Sequence, residues 1–422
     1  MEMNASIANK DLAEKVVIDI EKNLESQPDV HQACIYRVPQ KIRSPNAEAF
    51  TPTLISIGPL HNGKAELANM EKKKKMYVKS FLERKTIDKA LDEILIFIKK
   101  NEENIRNSYA EISRLESLDY IMMVLYDAIF ILEIFLRDKF RDRSDLLITI
   151  DALKDTLRLD LQLLENQLPY FVLEGIYELT LVGLYVPTFM ELSCSFFTNS
   201  DHDLNPLAPV EIVKHFIDWR RSTLIKNHPK EESEGWINDL PCAMKLHESG
   251  VKFKSVEREC LLDIKLEKQK QDILWLNELQ IPHFNVNLET EHLLRNILAF
   301  EQCHYPSDIR VCNYIFFLNR LIYTEKDVDL LVRKGIISNT MGDSASVANM
   351  FTDVCKYMHE KKSSHYPKIC EELKEHYNNR WNRTKIALRR AYFNNIWRGT
   401  TTAAFILFLL ILIQTCILVV FF

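Results

Sequence analysis

The chain has 422 residues, 47% hydrophobic and 27% charged, with a net charge of −5, a globular composition with room for one large domain or two. That balance excludes a general electrostatic attraction to nucleic acid or anionic lipid, so any pull toward a membrane must be local. Glycine is scarce, 9 residues where average usage of ~7% would give about 30, which disfavours turn-dense β architectures and glycine-rich ligand loops and leaves long helices.

Residues 1–33 read as a polar leader in which charge alternates with single apolar residues, without the continuous apolar core of a secretory signal. Next, YRVP at Tyr36 and TPTLISIGPLHNG at Thr51 predict extended segments and turns, because each proline disfavours helix in the residue before it. From Ala65 to about Lys100 the apolar residues Met70, Tyr77, Phe81, Leu82, Leu91, Ile94, Leu95 and Ile98 recur at helical spacing, with Glu71 to Lys75 expected on a solvated face. A second helical stretch is expected from about Glu103 to Arg141. It is apolar enough to mimic a membrane span, but Asp127 and Glu133 would be costly at a bilayer centre and favour burial inside the fold. The centre of the core is expected at LQLLENQLPYFVLEGIYEL, where Pro169 opens a new helix and Asn166 and Gln167 occupy the joint.

Loops are expected at Asn199 to Pro209 and Asn227 to Gly235, flanking a short helix from Val210 to Leu224. The alternation of Val251, Phe253 and Val256 predicts a strand, paired in a small hairpin or ribbon with Ile281 to Val286. Four further helices follow, in TEHLLRNILAF, SDIRVCNYIFFLNRLI, TEKDVDLLVRKGII and SVANMFTDVCKYM, each opened by Thr or Ser.

At the end of the chain, AAFILFLLILIQTCILVVFF runs from Ala403 through Phe405, Leu410 and Gln414 to Phe422 without a charge. At 1.5 Å per residue these residues would span about 30 Å as a helix, the thickness of bilayer hydrocarbon. Upstream, Lys385, Arg389, Arg390 and Arg398 occur with no acid after Glu375, and Trp397 sits where interfacial aromatics belong. The positive-inside rule then puts the bulk of the chain in the cytosol, with 379–402 lying along anionic headgroups. The sequons at Asn4 and Asn382 would carry glycan only if that side were lumenal. Nine cysteines (Cys34, Cys194, Cys242, Cys260, Cys303, Cys312, Cys355, Cys370 and Cys416) are odd in number, lack C-x-x-C spacing, and read mostly as buried thiols in a reducing compartment.

YRVP, ISIGPLHNGK at Ile55, DLQLLENQLPYFVLEGIYEL at Asp160, GVKFK at Gly250, LLDIKL at Leu261, RNILAFEQC at Arg295 and DVDLLVRKGIISNTMG at Asp327 together resemble the plant family called domain of unknown function 247. The resemblance covers about residues 34 to 422 and includes the apolar tail, while KQKQDILWLNELQIP is longer and more charged than the family's usual link. It implies a plant protein of unassigned activity, with some relatives linked to self-incompatibility recognition in grasses, and supplies no catalytic residues.

Phosphate, dinucleotide, zincin and nucleophile-elbow motifs are absent from the sequence. The segment Met341 to Ser346 lacks the second glycine of a nucleophile elbow and reads as a helix cap. Cys303 and His304 adjoin, but helix neighbours diverge by about 100°, which favours a buried thiol beside a capping imidazole. Asp127, Glu133, Asp160 and Glu165 are candidates for a carboxylate pair, although acids in apolar helices usually meet arginine or backbone donors. Asp127, Glu133, Glu165, Asn166, Gln167 and Glu301 are therefore the polar-core candidates.

The expectation is a mainly α protein: a large helical domain over 34–378 with a sub-boundary at 199–235 and a small β hairpin or ribbon, then a juxtamembrane segment over 379–402 and one transmembrane helix over 403–422. No cofactor, metal or nucleic acid is expected. The partners are the bilayer and an unidentified protein, bound in a non-enzymatic recognition or signalling role. A membrane-tethered enzyme and an outward-facing recognition module are the alternatives.

Overall fold

The computed structural model describes residues 32–379 apart from 84–89, 182–186, 198–212, 229–234, 238, 272–273, 361 and 363–364, together with Leu407, Phe408, Leu410, Ile411 and Ile413. The chain is mainly helical, and its contacts divide it into two compact units. One comprises 1–226, 289–311 and 356–359, and the other 227–288, 312–355 and 360–422.

Within the first unit, α1 (Ala68–Leu82) and α2 (Ala90–Lys100) occupy the expected helical stretch, and Met70, Tyr77, Phe81, Ile94 and Ile98 of its stripe are buried while Leu91 is exposed. The stretch expected as one helix from Glu103 to Arg141 is broken into α3 (Glu102–Asn107) and α4 (Ser117–Lys139). Between them Tyr109 bridges to Ile35, and the Arg106 guanidinium turns onto the Leu115 carbonyl at 3.0 Å, so local backbone capture replaces helix there. Helix α4 is the hub, buried from Tyr120 to Leu136 save for Met122 and Tyr126, with α1, α2 and the later helices packed around it. Each large apolar side chain so buried contributes about 1.5–3 kcal/mol against exposure. After α5 (Asp151–Asp160) an irregular joint leads to α6 (Tyr170–Leu181), which starts one residue beyond Pro169. The short α7 (Phe189–Phe197) adds Phe196 and Phe197 to an aromatic cluster with Phe135. Helix α8 (Phe216–Ile225) is capped by His215, its Nδ1 accepting from Asp218 N, while the expected start at Val210 lies outside the described residues.

In the second unit, α9 (Ala243–Glu248) precedes a three-stranded sheet of order β1-β3-β2. Its strands are β1 (Lys252–Val256), β2 (Lys265–Gln271) and β3 (Leu274–Pro282). The expected pairing of Val251 to Val256 with Ile281 to Val286 in a small hairpin or ribbon holds only where Ser255 lies opposite Ile281 and Val256 opposite Pro282, and it is not a hairpin. Strand β1 lies parallel to β3, from Lys252 opposite Glu278 to Val256 opposite Pro282. The antiparallel hairpin is β2 with β3, the two segments whose ends lie closest in sequence. Phe284–Val286 forms its own strand, β4, parallel to β5 (Ile337–Asn339).

Helix α10 (Thr290–His304) returns to the first unit and packs against α8. It is followed by α11 (Arg310–Leu321), α12 (Glu325–Arg333), α13 (Ser344–Cys355) and α14 (Tyr366–Asn378). Thr324 caps α12 through a reciprocal capping box with Asp327. The Asp343 carboxylate accepts from Ser346 N at 2.7 Å, so Met341 to Ser346 is a helix start as the sequence suggests.

Of the anchor candidates, Leu410 is helical and 58% exposed, while Ala403, Phe405, Gln414 and Phe422 lie outside the described residues. So do Lys385, Arg389, Arg390, Trp397, Arg398, Asn4 and Asn382. Among the described residues no helix is long and apolar enough to cross a membrane.

Candidate functional site

Two of the polar-core candidates, Asp127 and Asn166, converge with Asp160 on one structural problem in the first unit. Residues 51–63 cross the core without helix or ladder, and buried backbone N–H groups must find acceptors. Side chains from 127 and 160–167 supply them in sequence. The Asp160 carboxylate accepts from Thr53 N at 3.0 Å, Leu54 N at 2.7 Å and Ile55 N at 2.8 Å. Asn166 Oδ1 accepts from Ile57 N at 2.6 Å while its Nδ2 donates to the Ile55 carbonyl at 3.0 Å, imitating a neighbouring strand. Asp127 Oδ2 accepts from Gly58 N at 2.7 Å. Gln167 ties the joint together, donating to Leu161 O and Leu163 O and accepting from Phe216 N.

Two buried charge groups flank this latch. Lys74, expected on a solvated face, is fully buried in α1 and donates to Asp127 Oδ1 at 2.5 Å and to the Ser56 carbonyl. Burial pushes Asp127 up to about 6 despite the pull of Lys74, and burial likewise raises Asp160 to about 6 against its N–H donors. At the other group, Glu165 Oε1 accepts from Val38 N at 2.9 Å and from Arg43 Nη1 at 2.5 Å. His61 Nε2 lies 3.1 Å and Arg37 Nη1 3.6 Å from its other oxygen. Burial alone would raise Glu165, but His61, the Val38 N–H and Arg43 outweigh it and hold the carboxyl below its ordinary range.

The remaining candidates are spent similarly. Glu133 accepts from Arg137 at 2.8 Å. Glu301 accepts from Arg221 at 2.8 Å and Val311 N at 3.1 Å, and Arg221 continues to the Asp308 carbonyl. The four acids weighed as a carboxylate pair therefore each face basic or backbone donors of their own. Burial raises the Cys303 thiol to about 11, keeping it protonated at neutral pH. Burial, with Lys214 nearby, lowers His304 to about 4, and its Nδ1 meets the Tyr36 hydroxyl at 2.8 Å.

Sequence reasoning missed Lys74, Arg43, His61 and His215. Lys74 had a signal, since it lies four residues after Met70 and three before Tyr77, in the buried stripe. The other three reach partners far along the chain and leave no local trace.

His215 is fully buried, with Nε2 3.0 Å from the Cys34 carbonyl and Nδ1 accepting from Asp218 N. Both contacts require the neutral ring with its proton on Nε2. Burial, opposed by the Cys34 carbonyl and aided by Lys214, lowers it from 6.5 to about 3. The unfolded chain then binds the proton more tightly, so stability is full above about pH 6.5 and is lost as pH falls toward 3. Between pH 7 and 5 this residue should cost about 2 kcal/mol. Thermal melting should find that loss reduced in His215→Gln relative to the unmodified protein, and equal losses would refute the assignment.

One open feature adjoins the Glu165 group. A groove of about 670 Å³ is walled by Arg37, Pro59, Leu60, Asn62 and residues 110–115. Among the described residues no cluster of three or more His, Cys, Asp or Glu side chains is placed to hold a metal.

These features define a class: a mainly helical protein whose buried acids brace an irregular core segment and whose surface carries a mixed polar and apolar groove. The chain belongs to the plant family domain of unknown function 247, described as plant protein of unknown function, whose family model matches residues 35–411. It is similar to a UPF0481 protein of Arabidopsis thaliana, 26% identical over 416 residues that cover 90% of this chain and 84% of the relative. A putative UPF0481 protein of the same plant is 21% identical over 501 residues, covering 94% and 92%. No solved structure matches the chain.

Proposed function

We propose that this chain is a non-enzymatic recognition module attached to a membrane by one helix over 403–422, with the bulk of the chain in the cytosol. The observation that carries the attachment is the tail itself. It holds no charge in 20 positions, and its described residues Leu407, Phe408, Leu410, Ile411 and Ile413 are helical with between 54% and 60% of each side chain exposed. Oily side chains turned outward on a helix are matched by lipid rather than water. The basic residues from Lys385 to Arg398 support a cytosolic module, as do the thiols Cys34, Cys242, Cys303 and Cys370, which form no disulfide.

A binding role is supported by the assignment of the buried acids to backbone and basic partners, which leaves recognition to the surface. Proximity labelling in plant cells tests it. The full chain should label a reproducible set of membrane-associated proteins that a chain ending at Thr402 loses. Substrate turnover by that shortened chain would instead make the protein an enzyme.

A further inference from the structure

The groove beside Glu165 combines three properties. Its cation has donors to spare. Arg37, with 43% of its side chain exposed, gives Glu111 only its Nε, at 2.9 and 3.0 Å from the two carboxylate oxygens. Its Nη2 reaches the Leu60 carbonyl only at 3.5 Å, and Nη1 stands 3.6 Å from Glu165. The side-on contact with Glu111 leaves unused the two-pronged geometry in which guanidinium holds carboxylate best.

The groove also offers backbone. Among the described residues nothing accepts from the N–H groups of Glu111, Ile112, Ser113 and Arg114, which form one wall. Successive N–H groups of a non-helical chain face opposite sides, so alternate members of this run are what an incoming chain's carbonyls pair with when a peptide adds alongside. Finally, the lining carries apolar surface beside its charges: Ile112 is 56% exposed, and Leu60 shares the lining with it.

We infer that this groove takes a peptide segment of a partner protein, in which an aspartate or glutamate displaces Glu111 from Arg37 while neighbouring apolar side chains cover Leu60 and Ile112. Glu111 is an internal stand-in for that acid. The charges favour an acidic occupant, because the lining holds two basic residues, Arg37 and Arg114, against one acid, Glu111. The inference rests on the recognition role proposed above and names the chemistry of its partner.

The test uses the full chain in detergent micelles and a fluorescent pentapeptide alternating leucine and aspartate, with an asparagine counterpart as control. The aspartate peptide should bind, and Arg37→Met should weaken it by about tenfold or more, the scale of a lost charge-assisted contact. Glu111→Gln removes the stand-in and should tighten binding by about fivefold. Glu111 is exposed, so this variant decides the matter even if Arg37→Met, whose guanidinium also touches Glu165, fails to fold. Equal binding of the two peptides, undiminished binding by a folded Arg37→Met, unchanged affinity in Glu111→Gln, or no binding by the unmodified chain would overturn the inference. In cells, an Arg37→Met chain that folds and keeps its whole set of labelled partners removes the groove but leaves the recognition role standing. Loss of partner labelling by the unmodified full chain removes that role itself.

Discussion

Replacing Gly58 by alanine should lower stability by about 3 kcal/mol, the sum of a left-handed backbone penalty of about 1 kcal/mol and overpacking of about 2 kcal/mol. Gly58 sits at φ +70°, where a Cβ would lie 2.6 Å from the Gln167 carbonyl oxygen and 2.7 Å from the Tyr109 hydroxyl. Neither neighbour can yield cheaply. The Gln167 carbonyl is backbone, and the Tyr109 hydroxyl already donates to it at 2.8 Å. Any shift of Gly58 would also pull its N–H from Asp127. Gly63 is the matched control, at φ +80° with nothing within 4 Å of the added carbon, so Gly63→Ala should cost only about 1 kcal/mol. Denaturant titration of both variants separates the two contributions. Equal costs would mean that the close approach at Gly58 carries no energy.

The second large effect is expected at Lys74. Both it and Asp127 have only 1% of their side chains exposed, and removing one partner of a buried ion pair typically costs about 3–5 kcal/mol because the other charge is stranded. Lys74→Met should therefore destabilise on that scale. The pH dependence has a definite sign. Burial already raises Asp127 to about 6, and without Lys74 the folded value rises further, so the variant's deficit at pH 7 should shrink as pH falls toward 5. Adding Asp127→Asn keeps an acceptor for the Gly58 N–H without the charge, and the double variant should recover about half of the loss. A deficit independent of pH would show that lost packing of the lysine stem, rather than the stranded carboxylate, dominates.

Much of the fold was legible in sequence because helices announce themselves by local spacing. The run from Ser117 to Lys139 is apolar on nearly every side and is buried on nearly every side. The polar core was legible for a related reason. Asn166 and Gln167 stand between two apolar stretches where an unsatisfied amide would be expensive, and both are fully bonded to backbone. What escaped was whatever depends on distant pairing. The alternation of Val251, Phe253 and Val256 identifies a strand, but nothing in it states that Glu278 rather than Val286 lies alongside, or in which direction. The groove was equally hidden, since Arg37, Leu60 and Glu111 are brought together by the latch that seats residues 51–63 against the core.

The proposal that the tail holds this protein at a membrane is tested most directly by washing membranes from plant cells expressing the full chain with alkaline carbonate, which strips peripheral proteins and leaves spanning helices in place. The full chain should remain in the pellet while a chain ending at Thr402 is released. Release of the full chain would mean that Ala403 to Phe422 does not span lipid, and that the module works somewhere other than on a bilayer.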